Sequence, residues 1–344
     1  MSVAGASTRS SMGGGPGSLA ARLFVAFGMP LGFGAAFAQP VAWPAKPVRM
    51  IVPFAAGGPV DAVGRTVGQR LSADLGQPVV VDNRGGAGGS IGMEAIARAL
   101  PDGYTLGVGS LGGLALSPAI DPKLRYDPLR DIAPIAAVTI THYVLVVHQG
   151  VPAKSVQDLL RIARERRGQL NYGSSGVGSI SHLLAELVEG ATGVQLVHVA
   201  YKGTGPAVAA LLSGEIDIGF MPLPTSEGAA KAGRLRLLAV TGTRRAEGAR
   251  QLPTLLEAGL KVHPVEASYG IVGPSGISRE VVVRVNGLLN AALGSVEFRQ
   301  RLEKQGFEAV PPNSPDEYAR QIRADLDVFR DVVRRAIDLG RRTK

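Results

Sequence analysis

Four segments rich in glycine and hydroxyl residues hold the groups best suited to chemistry in this sequence. They span 53–61, 110–113, 174–182 and 201–206, and each follows a predicted strand. In the first segment, Gly57 and Gly58 can adopt positive φ angles, so that neighbouring backbone N–H groups can converge. Pro59 suits the first turn of a helix, where no intrahelical hydrogen bond is needed. The N–H groups at a helix start attract anions, so the segment favours a cradle for a carboxylate, with a plain strand-to-helix turn as the alternative.

The other three segments offer further neutral donors. The candidate ligand-binding residues there are Ser110 in the second segment, Ser175, Gly178 and Ser179 in the third, and Lys202 and Gly203 in the fourth. Amides and hydroxyls surround an anion at a lower desolvation cost than a buried lysine or arginine would. The four segments together therefore predict a site for a small negatively charged molecule.

The spacing of the same residues argues against several classes of enzyme. The glycine run 85–89 fails as a dinucleotide-binding turn because the third required glycine falls on Ile91. The segment Gly173-Ser174-Ser175-Gly176 fails as a nucleophile elbow because Val177 stands where the last glycine is needed. Ser179 and His182 lie three residues apart, but a helix-capping serine and a packed histidine explain them better. No histidine has metal-ligand spacing and the chain has no cysteine, so we expect no catalysis, cofactor or metal.

Periodicity predicts the elements that position these segments. The predicted strands are 48–53, 78–83, 104–109, 143–148, 170–173, 194–201, 216–220, 235–241 and 268–273. The predicted helices are 60–75, 91–99, 155–166, 181–191, 206–212, 280–293 and 315–337. Strands that alternate with helices predict an α/β fold with parallel sheets. The strands at 143–148 and 268–273 are expected to pass between two lobes, residues 39–141 with 266–344 and residues 142–265, leaving a ligand cleft between them.

Composition and the N-terminus bound the setting. Residues 1–38 contain no acidic residue and end in an apolar run closed by Ala36-Phe37-Ala38, which is typical of a signal peptide and predicts a periplasmic protein. The net charge is +9, but the basic residues are dispersed apart from a C-terminal cluster, and aromatic residues are only 5%. Nucleic-acid binding needs a clustered basic stripe or a stacking platform, so nucleic acid is not an expected partner.

Motifs along nearly the whole chain from residue 43 resemble one known family. They include WPAKPVR at 43–49, VPF at 52–54, LGQPVVVDNR at 75–84, GAGG at 86–89, PDGYTL at 101–106 and HVAYKG at 198–203. Shorter matches follow at 126–128, 238–241, 253–254, 257–259 and 269–270. The sequence thus resembles the Bug-type solute-binding receptors of tripartite tricarboxylate transporters.

The resemblance implies a two-lobed periplasmic binding protein fold of type II, with two crossover strands and a carboxylate held by backbone amides, hydroxyls and waters. It adds Phe54 and Asp61 to the candidate ligand-binding residues. Two departures distinguish this chain: Pro59 replaces a usual small hydroxyl residue, and Met221-Pro222 follows a strand where the family usually places an acidic residue. Loss of that carboxylate favours a ligand without a cationic amine.

Three functions stay open at this point. The first is a monomeric transport receptor that delivers a carboxylate to a membrane permease. The second is a sensory binding protein that presents its loaded form to a signalling partner. The third and least favoured is a hydrolase that uses Ser179.

Overall fold

The computed structural model describes residues 43–342, and the side chains of residues 43–334. The predicted signal peptide, residues 1–38, lies outside the described residues. The strands are β1 Val48–Val52, β2 Val79–Asn83, β3 Thr105–Ser110, β4 Ile132–His148, β5 Asn171–Ser174, β6 Val197–Ala200, β7 Ile218–Pro222, β8 Leu235–Val240, β9 Glu266–Pro274 and β10 Glu308–Ala309. The α-helices are α1 Pro59–Leu75, α2 Ser90–Ala97, α3 Ser117–Ile120, α4 Val156–Glu165, α5 Ile180–Thr192, α6 Thr204–Ser213, α7 Leu223–Lys231, α8 Arg279–Gly294, α9 Val296–Glu303 and α10 Pro315–Arg342.

The first half of the sheet has the order β2-β1-β3-β9-β4. β1 pairs in parallel with β2 and β3, as the alternation of strands and helices predicts. β9 is antiparallel to both β3 and β4, and the short strand β10 also joins β4. The ends of β1 and β3 therefore lie at the same edge of the sheet, where two of the four candidate segments begin.

The second half contains β6-β5-β7 together with β4 and β8. β5 pairs in parallel with β6 and β7, whereas β7 and β8 run antiparallel to β4. β4 belongs to both halves, because residues 132–142 pair with β9 and residues 143–148 pair with β7 and β8. The prediction of a strand at 143–148 alone was wrong in extent, since β4 starts at Ile132. Both faces of this strand are largely buried, which removes the alternation that marks a half-buried strand.

The sequence of α1 contains the signals that make it a helix and set its two ends. Its predicted apolar positions, Val63, Val67, Leu71 and Leu75, are all buried. Pro59 is its first residue, and Gly76 ends it in the left-handed conformation. The last helix, α10, likewise buries its predicted apolar face.

Apart from the short 3-10 turns Ala87–Gly89 and Glu247–Ala249, three helical segments were not predicted from the sequence. They are α7, α9 and the stretch 112–120, where a π-helical turn and α3 replace an expected loop after Ser110. Of the described helices, none alone is long and apolar enough to span a membrane; one sharply bent pair, α8 with α9, meets the criteria of length and composition together.

Candidate ligand-binding site

Three helix N-termini meet at one narrow cavity. Its lining includes Pro59 and Val60 from the start of α1, Ser179 and Ile180 from the start of α5, and Thr204 from the start of α6. These helices have 17, 13 and 10 residues, long enough for each to present partial positive charge at its first turn. The first N–H groups of a helix have no intrahelical acceptor, so the cavity-lining residues Val60, Ile180 and Thr204 each carry a backbone donor that the helix itself does not use.

Serine hydroxyls from both halves of the sheet complete the polar lining. Ser110 lies at the end of β3, and its Oγ accepts a hydrogen bond from Gly113 N at 3.3 Å. Ser175 and Ser179 lie in the segment after β5, and both contact the Ser181 hydroxyl, at 3.2 Å and 3.0 Å. This network fixes the rotamers of the cavity serines. The structure therefore brings Phe54, Ser110, Ser175 and Ser179, all predicted from the sequence, to one cavity.

Two tyrosines form a part of the wall that sequence reasoning missed. Tyr143 on β4 and Tyr269 on β9 both line the cavity, and both are at least 95% buried. The available signal was their position in the two predicted crossover strands. No Asp, Glu, Lys, Arg or His side chain lines this cavity among the residues that the structure describes. Its electrostatics therefore come from amides, hydroxyls and helix dipoles.

Asp61 lies behind the cavity and holds the first segment in shape. Its carboxylate accepts hydrogen bonds from Gly57 N at 3.0 Å, Arg65 Nε at 2.9 Å and Asn83 Nδ2 at 3.0 Å. Burial acts to raise the pKa of Asp61, but these hydrogen bonds and the charge of Arg65 outweigh it and lower the pKa below its ordinary value. The carboxylate is consequently engaged within the protein, and so is the Gly57 amide.

The remaining candidate residues lie where the two halves of the structure touch. Gly58 precedes α1, and a Cβ on it would lie 3.6 Å from Thr204 Cβ. The Gly178 carbonyl accepts a hydrogen bond from Ser117 Oγ at 3.4 Å, and the Lys202 carbonyl accepts one from Ala55 N at 3.4 Å. The Lys202 side chain is exposed, whereas Gly203 is buried against Ala55. None of the four candidates Gly58, Gly178, Lys202 and Gly203 lines the cavity, and their roles in ligand binding stay predictions.

The glycine run 85–89 also lies at this contact between the halves. A Cβ on Gly88 would lie 2.6 Å from Val177 O and 2.9 Å from Gly178 C, and a Cβ on Gly85 would lie 2.9 Å from Lys202 O. Real Cβ atoms do not approach other atoms so closely. The run therefore permits a backbone-to-backbone contact across the cleft.

The histidines near the third segment are structural. His182 and His198 stack with ring centroids 4.4 Å apart, and Tyr172 stacks on the other side of His198 at 4.7 Å. His182 Nδ1 accepts a hydrogen bond from Gly178 N at 3.3 Å, while Ser179 Oγ caps α5 by accepting one from His182 N. Burial lowers the pKa of both histidines. The Ser179 hydroxyl is therefore engaged by Ser181 and by the backbone of His182, and it has no hydrogen bond to an imidazole among the described residues.

A metal site is not found among the described residues, where no three His, Asp or Glu side chains form a group able to hold an ion. A second surface cavity lies between residues 128–134 and the start of α10, away from all four candidate segments. The cavity at the three helix starts is therefore the candidate ligand-binding site.

Comparison with known proteins agrees with this architecture. The model of the tripartite tricarboxylate transporter family receptors matches residues 63–336. Protein BugT of Bordetella pertussis is 34% identical over 304 residues, covering 87% of this chain and 93% of BugT.

Two solved structures from Rhodopseudomonas palustris are also similar. One, determined with adipate, has a TM-score of 0.82 at 34% identity and covers 86% of this chain and 98% of its own. The other, MatC with bound malate, has a TM-score of 0.81 at 31% identity, and the match covers 84% of this chain and 99% of MatC.

The match confirms the family resemblance and the α/β fold of periplasmic binding proteins, with two lobes joined by crossover strands. The family consists of solute-binding receptors and not of enzymes. By sequence and by structure, the chain belongs to the tripartite tricarboxylate transporter family of receptors.

Proposed function

We propose that this protein is a periplasmic receptor that captures a small carboxylate without a cationic amine and delivers it, as a monomer, to a membrane permease of the tripartite tricarboxylate type. Residues 1–38 direct its export. Residues 39–141 with 266–344 form one lobe, residues 142–265 form the other, and the ligand lies in the cavity between them.

The observation that carries the proposal is the convergence of α1, α5 and α6 on a cavity without a charged side chain among its lining residues. Each helix start presents partial positive charge and free N–H groups, which stabilise a carboxylate. Among the residues that the structure describes, no carboxylate lines the cavity to pair with an ammonium group. The Asp61 carboxylate is held by its own partners, and Met221-Pro222 ends β7. The adipate and malate bound to the two R. palustris proteins support the same ligand class.

The narrowness of the cavity supports a closed state as the form in which the lobes enclose the ligand. The segments around it contact one another through Ala55 with Lys202 and Ser117 with Gly178. A ligand of several carbon atoms enters when these contacts separate. Phe54, Ser110, Ser175 and Ser179 then contact it, Gly57, Gly58 and Asp61 shape the first cradle, and Gly178, Lys202 and Gly203 close over it.

Calorimetric titration tests the ligand class. Succinate and malate are compared with aspartate, which has the same carbon chain and carries an ammonium group. We expect at least one of the two amine-free acids to bind at least tenfold more tightly than aspartate. Tighter binding of aspartate would contradict the exclusion of amines, and failure of a wider panel of C3–C8 carboxylates to bind would contradict the function.

A further inference from the structure

The phenol of Tyr269 is a buried hydrogen-bond donor without a partner. Its side chain is 1% exposed, and its OH group has no partner of hydrogen-bond distance and angle among the described residues, although the Tyr143 phenol interacts with it. The residue lines the cavity together with Tyr143, which is 5% exposed. A buried polar group without a partner destabilises the fold. Because Tyr269 also lines the cavity, an acceptor bound there would supply the missing partner.

Strand pairing places this phenol beside a second free donor. Tyr269 on β9 is the register partner of Ser110 on β3, so that their side chains share one face of the sheet. The Ser110 oxygen accepts from Gly113 N, which leaves its own hydrogen free to donate. Tyr143 enters from β4, where it pairs with Pro222 of β7. The strand-derived wall of the cavity thus carries three hydroxyl groups.

The two phenols cannot satisfy each other fully. Burial and then the neighbouring Tyr143 raise the pKa of Tyr269, and burial raises the pKa of Tyr143, so both keep their protons at neutral pH. The pair therefore has two O–H donors, and a hydrogen bond between the phenols uses only one of them. The other donor needs an acceptor in the cavity.

We propose that Tyr143 and Tyr269 are ligand-binding residues that donate a hydrogen bond to a second oxygen function of the ligand, while the helix starts hold its carboxylate. This inference rests on the proposed function. An anion is drawn to the partial charges at Val60, Ile180 and Thr204, whereas the phenols and Ser110 offer neutral donors from the strands. The site therefore selects dicarboxylates and hydroxy- or oxo-acids over unsubstituted monocarboxylates, which would leave the buried donor unpaired.

The test combines matched ligands with matched variants. Calorimetry compares succinate with butyrate and adipate with hexanoate, and adds malate, on the wild type, Tyr143→Phe, Tyr269→Phe and the double variant. Tyr172→Phe is the control, because Tyr172 is also 1% exposed with an unpartnered OH but lies outside the cavity lining. Circular dichroism and thermal unfolding verify that each variant is folded.

We expect the wild type to bind succinate or malate at least tenfold more tightly than butyrate, or adipate at least tenfold more tightly than hexanoate. The double variant should lose at least tenfold of its affinity for that ligand and less than twofold for the monoacid, and the control should match the wild type. If the double variant does not fold, Tyr269→Phe alone provides the test, and we expect it to lose at least threefold of its affinity for the diacid. Unchanged diacid binding, or an equal loss for both acids, overturns the inference while the receptor function stands. If the wild type binds no acid at all, the proposed function fails with it.

Discussion

Replacing Gly88 with alanine should hinder closure of the two lobes. In the structure, a Cβ at this position would lie 2.6 Å from Val177 O, 2.9 Å from Gly178 C and 3.1 Å from Ser179 N. All three are backbone atoms of the segment after β5, so no side chain can rotate away. Restoring an ordinary contact of 3.4 Å to Val177 O requires the two segments to separate by about 0.8 Å.

The magnitude follows from packing energetics. Forcing extra atoms into a close contact costs about 1–3 kcal/mol. If that cost falls only on the closed form, it lowers the closed population and weakens the apparent affinity by the same factor, about 5-fold to 150-fold. Gly88 has a φ of +64°, so alanine also adds backbone strain of about 1–2 kcal/mol, which a control variant at a second glycine of similar φ separates from the close contact.

Gly76 provides a matched control. Its φ is +66°, and a Cβ there would meet nothing within 4 Å. Gly76→Ala should therefore lose stability, as Gly88→Ala does, yet bind ligand within twofold of the wild type. Calorimetry measures affinity, and small-angle X-ray scattering measures the decrease in radius of gyration on ligand addition. Wild-type affinity and compaction in Gly88→Ala would refute the reasoning, and so would an equal loss in both variants.

Three further predictions concern residues around the cavity. Asp61→Asn should cost about 2 kcal/mol at pH 7 in urea unfolding. Because the folded pKa of Asp61 is lowered, its carboxylate stabilises the wild type above about pH 4 and loses this effect as the pH falls further. The unfolding free energy of the variant should therefore fall less steeply with decreasing pH in this acid range than that of the wild type. Burial lowers the pKa of His182 and His198, so below about pH 6.5 the unfolded chain gains protons before the folded protein does, and the wild type should lose stability. His182→Phe should reduce the dependence of the unfolding free energy on pH between pH 7 and 5. Ser179→Ala should lower the unfolding free energy by about 0.5–1 kcal/mol through loss of the α5 cap, and weaken ligand binding several-fold by calorimetry.

Local patterns in the sequence were sufficient for elements such as α1. Its apolar spacing, Pro59 at its first turn and Gly76 at its end are all signals within one segment. The residues 132–142 of β4 lacked such a signal, because their partner β9 lies more than 120 residues away and both faces are buried. Pro134 and two register shifts interrupt the pattern further.

The candidate site, like the fold, could be predicted from the sequence only in part. The carboxyl ends of parallel strands meet at one edge, so the sequence could predict that the four segments lie together. It could not show which atoms face the cavity: Asp61 occupies the Gly57 amide, and the Lys202 side chain points to solvent. Tyr269 reaches the cavity beside Ser110 only because β9 inserts antiparallel next to β3, a pairing across about 160 residues of chain.

A crystal structure of the protein with the tightest-binding acid of the calorimetric panel tests the central claim most directly. A carboxylate oxygen of the ligand should lie about 2.7–3.2 Å from the backbone nitrogen of Val60, Ile180 or Thr204, without a lysine or arginine side chain in contact. An acid bound through an ion pair with a basic side chain, or bound outside the cavity where α1, α5 and α6 begin, would contradict the account.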